Sequence, residues 1–125
     1  MSIFDALMGN SSKVDLVKLA EEFSPLLVAG EELKGAYRLV RDMFVFTNKR
    51  CILVDRQGVT GRKTEYLSIP YQDIARYSVE SAGSFDMDAE LKIWLRGEAQ
   101  PIVKSFPKGS EYLSVHRMLS EGVLK

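Results

Sequence analysis

Apolar residues recur at helical spacing over the first thirty positions and then alternate or gather in short runs, so the chain divides by pattern alone. Ile3, Phe4, Leu7 and Met8 share one face of a short helix that Gly9 and Asn10 are placed to stop. A second helix follows, capped by Ser11 or Ser12, with Asp15 as the acidic member of a capping-box-like pattern. Val14, Leu16, Val17, Ala20 and Phe23 give it an apolar face, and Lys13, Lys18, Glu21 and Glu22 a polar one. Ser24-Pro25 ends it, because a residue before proline is pushed out of the helical region.

From about Leu33 the patterns are those of strands. The clearest stretch is Met-Phe-Val-Phe-Thr-Asn-Lys-Arg-Cys-Ile-Leu-Val-Asp at 43–55, two apolar runs around the polar turn Thr47, Asn48, Lys49, Arg50, which predicts a β-hairpin. Seven strands are expected, at 33–40, 43–47, 50–55, 63–69, 74–81, 89–96 and 102–106, separated by Gly, Pro, Asn and Asp breakers. Leu91, Ile93 and Leu95 alternate with Lys92, Trp94 and Arg96, which puts one face inward and Trp94 outside. Tyr112, Val115, Leu119 and Val123 then return to helical spacing. Short strands followed by one amphipathic helix fit a barrel or sandwich whose open end the helix covers.

The turn Phe46-Thr47-Asn48-Lys49-Arg50, the following Ile52-Leu53-Val54-Asp55 and the segment Ile69-Pro70-Tyr71-Gln72-Asp73-Ile74 resemble the bacterial pleckstrin-homology-like (PH-like) domains. The resemblance implies a mainly β fold, a seven-stranded, partly open barrel of two nearly orthogonal sheets capped by the C-terminal α-helix. It divides the chain into an N-terminal helical lead-in, 1–30, and a PH-like domain, 31–125. Domains of this superfold bind phosphoinositides, peptides or other proteins, so the fold alone does not choose a ligand. Those that hold phosphoinositides use lysines and arginines around a long loop joining the first two strands. Here that connection is about Arg41-Asp42 and carries an aspartate.

Composition narrows the function. Seventeen Lys and Arg balance seventeen Asp and Glu, so no large net field draws in nucleic acid or an anionic membrane, and any such contact must come from a local patch. The single cysteine, Cys51, sits in an apolar strand and reads as a buried, inert thiol. Neither a signal-peptide pattern nor an apolar run of membrane-spanning length is present, which makes the cytoplasm the expected location. Asp86, Asp88 and Glu90 alternate but lack a glycine-punctuated calcium loop, and His116 has no cysteine or acid at ligand spacing. No metal, cofactor or catalytic residue is assigned, and an enzyme is not expected. Arg56, Arg62 and Lys63, around Gln57-Gly58-Val59-Thr60-Gly61, form the densest cationic patch and the candidate anion-binding site.

The functional expectation is a non-catalytic interaction module that self-associates into a homo-oligomer, a ring by analogy with the bacterial relatives, or that meets another protein. Its candidate contacts are Ile3, Phe4, Leu7 and Met8 with Tyr66 and Tyr77. The alternative is a peripheral membrane or anionic-ligand binding module using the cationic patch; the first helix, with Asp5 and no basic residue, favours this less.

Overall fold

The computed structural model describes residues 15–57, 63–81 and 89–125. Helix α1 (Leu16–Phe23) leads into β1 (Leu33–Arg38), β2 (Asp42–Thr47), β3 (Arg50–Gln57) and β4 (Lys63–Pro70), which form one antiparallel sheet in that order. A single 3-10 turn, Tyr71–Asp73, carries the chain into β5 (Ile74–Glu80), β6 (Glu90–Leu95) and β7 (Ile102–Ser105), a second antiparallel sheet, and α2 (Tyr112–Val123) follows.

Two apolar clusters explain why β2 and β3 read as continuous apolar runs and not as alternations. Residues pointing inward, Phe44, Phe46, Cys51 and Leu53, join Leu91, Ile93, Phe106, Val115 and Leu119 in the barrel core. Their neighbours Val45, Ile52 and Val54 point outward, where Leu19 and Phe23 of α1 cover them. Each strand of this hairpin is therefore buried on both faces. The barrel corner between β1 and β7 is joined by Val40 N donating to Ser105 O at 2.7 Å.

Helix α2 closes the open end with Val115 and Leu119 as its buried residues. Its last turn approaches Tyr71 so closely that a Cβ on Gly122 would collide with the ring. Tyr71 cannot swing aside without losing the 2.7 Å hydrogen bond from its hydroxyl to Thr47 O. Glycine is thus fixed here by space, not by backbone angle.

The hairpin, all seven strands and the C-terminal helix stand where the patterns put them, with ends shifted by one or two residues. β1 stops at Arg38 instead of position 40, since Leu39 N turns back to Asp42 O. Trp94 does lie on the outer face, half-buried, with the Arg76 guanidinium 4.6 Å above its ring. The lead-in helix needs two corrections. Asp15 is itself the N-cap, its carboxylate accepting from Val17 N at 2.9 Å. The buried face is Leu19 and Phe23 with Leu16 beside them, whereas Val17 is 73% exposed and Ala20 is exposed too. The expected capping serines, Val14 and the first-helix stripe Ile3, Phe4, Leu7 and Met8 lie outside the described residues.

Candidate functional site

The outer face of the four-stranded sheet is the part of the surface where the lead-in and the barrel meet. Alternation along the strands puts Ala36 and Arg38 of β1, Met43 and Val45 of β2, and Ile52, Val54 and Arg56 of β3 on this side. Helix α1 covers the middle of it. Phe23 meets Tyr66 edge to face at 5.6 Å between ring centres, and Tyr66 donates to Glu22 Oε2 at 2.8 Å.

At one end of α1 the covering is held down by a buried ion pair. Glu31, whose side chain is 0% exposed, accepts from Arg50 Nε at 2.8 Å, Arg50 Nη2 at 2.9 Å, Thr47 Oγ1 at 2.7 Å and Val28 N at 3.0 Å. Arg50 also donates to Leu26 O and to Ser68 Oγ. Burial pushes the Glu31 carboxyl upward, but the Arg50, Val28 and Thr47 donors and the Arg50 charge outweigh it and hold the group at about 2. This network ties the lead-in to the β2–β3 turn, and its role is structural.

Elsewhere along α1 part of the sheet is left uncovered by the described residues. Leu19, Met43 and Val54 floor a cleft of about 360 Å³ there, and Arg38, Arg41, Asp42 and Arg56 surround it. Two of its charged groups are already paired. Arg56 Nη2 lies 2.9 Å from both Glu22 carboxylate oxygens, and Asp42 Oδ2 is 2.5 Å from Lys104 Nζ. Arg38 and Arg41 make no ion pair with a described carboxylate.

The expected anion site is thus divided. Arg56 is turned onto Glu22, Lys63 is exposed at the start of β4 opposite Gln57, and Arg62 lies outside the described residues. Tyr66 and Tyr77, expected at a contact between subunits, are half-buried against their own chain. Tyr66 packs under α1, while Tyr77 shares a 2.7 Å hydrogen bond with Ser120 Oγ and lies against the His116 ring. Cys51 is fully buried and its thiol is pushed up to about 12, so it is no nucleophile at neutral pH. Glu90 lies on β6, and Asp86 and Asp88 fall outside the described residues, among which no cluster of three or more His, Cys, Asp or Glu could hold a metal. No helix among the described residues is long and apolar enough to cross a membrane.

Sequence reasoning missed Glu31, Arg38 and Arg41. A signal for the arginines existed: Arg38 shares the strand face of Ala36, and Arg41 sits in the tight turn that follows, so both flank one hairpin end.

The sequence model of the bacterial PH domain matches residues 2–123. The chain is a bacterial PH domain. It is 48% identical over 121 residues to YjqA of Bacillus subtilis (strain 168), described as uncharacterized, covering 96% of this chain and 97% of YjqA. The crystal structure of a pleckstrin homology domain from Shewanella amazonensis SB2B superposes with a TM-score of 0.84 at 53% identity, covering 98% of this chain and 99% of that one. A DUF1696 family protein with a pleckstrin-homology domain from Shewanella loihica PV-4 gives 0.81 at 48% identity, covering 91% and 97%. The family match takes in the lead-in as well as the barrel, in keeping with the way α1 of this PH domain is packed onto its sheet.

Proposed function

We propose that this PH domain is a non-catalytic interaction module that associates with copies of itself through the free edge of its four-stranded sheet. The observation that carries this is β4. It is the last strand of its sheet, pairs with β3 over eight residues from Lys63 to Pro70, and has no described strand on its other side. Backbone N–H and C=O groups along such an edge are a template for pairing unless charge, proline or cover blunts them. Charge blunts only the first half, where Lys63 and Glu65 are exposed. Residues 66–69 are uncharged, with a proline only at the far end, Pro70, and Leu67 among them is 38% exposed. In this reading the contact centres on Leu67, with Tyr66 as its half-buried flank, and Ile3, Phe4, Leu7 and Met8 extend it. Tyr77, whose hydroxyl is committed to Ser120 of α2, is left out of it.

Sedimentation velocity over a hundredfold range of concentration tests the proposal. The mass expected is a multiple of one chain, and Leu67→Lys is expected to shift it toward the monomer while the circular dichroism spectrum stays unchanged. A strictly monomeric mass throughout would overturn it.

A further inference from the structure

We infer that the cleft beside α1 binds a carboxylate amphiphile of the fatty-acid type, its head on Arg38 and Arg41 and its chain over Leu19, Met43 and Val54. The site lies on the outer face of the sheet, away from the β4 edge, and the inference stands whether or not the domain self-associates.

The charges at the cleft decide the sign of the ligand. Four charged side chains line it, and the two that have partners are Arg56, matched by Glu22, and Asp42, matched by Lys104. Asp42 could oppose an anion, but its side chain is only 6% exposed and its charge is met by Lys104. What remains is the pair Arg38 and Arg41, both exposed and neither joined to a described carboxylate. A guanidinium presents a planar fork of donors that fits a carboxylate with two parallel hydrogen bonds. The same rim already holds one carboxylate, since Glu22 accepts from Arg56 Nη2 at both oxygens and from the Tyr66 hydroxyl.

The floor decides the rest of the ligand. Leu19 and Val54 are buried members of the outer apolar cluster, and Met43 packs against it half-buried. A bare, strongly hydrated anion gains nothing from such a floor, whereas an alkyl chain laid on it removes its own apolar surface and that of half-buried Met43 from water. Methionine suits this, being unbranched and able to re-pack around a flexible chain. A volume of about 360 Å³ is at the small end for ligand sites and fits a short-chain amphiphile better than a diacyl lipid.

Isothermal titration of the full chain with decanoate, decanol and inorganic phosphate, and sedimentation with vesicles of phosphatidylcholine containing phosphatidylglycerol, test the inference. Saturable decanoate binding is expected, weaker by about tenfold or more (about 1.4 kcal/mol) for decanol, which lacks the charged head, and for phosphate, which lacks the chain. The double variant Arg38→Gln with Arg41→Gln should lose binding by at least that factor, and the Arg38→Lys, Arg41→Lys pair should fall between, keeping charge without the fork. Arg76→Gln, on the outer face of the other sheet, should bind as the unaltered chain does. Since both cleft arginines are exposed, thermal unfolding of the double variant should match that of the parent. Decanol binding as tightly as decanoate, an unchanged affinity in the double variant, preference for phosphate or for the anionic vesicles, or no saturable decanoate binding would each overturn it.

Discussion

A carboxylate withdrawn from water costs several kcal/mol unless donors replace its hydration. Glu31 meets that condition with four hydrogen bonds, from Arg50 twice, Thr47 and Val28. Its pKa falls from 4.5 in the unfolded chain to about 2 in the fold, so the folded state binds the proton less tightly than the unfolded one. The stability this contributes is complete above about pH 5 and is lost as pH falls toward 2, amounting to about 3 kcal/mol over the window. Urea titrations at pH 6 and pH 2.5 should show that loss, and Glu31→Gln should already lack about 3 kcal/mol at pH 6 while losing less on acidification. Equal acid sensitivity in the two proteins would contradict it. A residue of a different kind makes the second prediction. Gly122→Ala should cost about 1–3 kcal/mol, because Tyr71 is pinned by Thr47 and α2 must be displaced to admit a methyl group. Neither residue announced itself in the sequence. Glu31 and Arg50 are 19 positions apart, and Gly122 lies in a helix whose apolar spacing is satisfied without it.

Among the elements, α1 has few internal hydrogen bonds at eight residues and depends on what it covers. Phe23 is its fully buried anchor, set between Tyr66 and the outer cluster. Phe23→Ala should destabilise the domain by about 3–5 kcal/mol and detach the helix first, exposing Val45, Ile52 and Val54. Limited proteolysis is the check, with cleavage between α1 and β1 preceding loss of the barrel; simultaneous loss would show the two to be one cooperative unit. Strands were legible because their signal is local: an alternation such as Leu91, Ile93, Leu95 fixes the inward face of β6 by itself. The helix face was not, since apolar residues 14, 16, 17, 19, 20 and 23 run nearly all round so short an element, and only the sheet beneath selects Leu19 and Phe23 over Val17 and Ala20. The candidate anion site was legible in kind but not in place. Arg56, chosen for its neighbours in sequence, is drawn to Glu22, 34 residues away.

At the scale of the whole molecule, both described apolar clusters are built from residues between Leu16 and Val123, so deletion of 1–9 should leave the barrel folded, with thermal unfolding within a few degrees of the intact chain. A cooperative transition at a much lower temperature would place Ile3, Phe4, Leu7 and Met8 in that core. The double cover on the β2–β3 hairpin has a consequence in time as well as in energy. Its amides at 44–46 and 51–54 lie in the middle of the sheet, bonded on both flanks and roofed by the barrel on one side and α1 on the other. They should exchange their hydrogens with heavy water only when the entire domain opens, while the outward amides of β4 exchange within the dead time of dilute protein. The hairpin thereby serves as a clock for global opening, against which any slowing along β4 at higher concentration can be read directly.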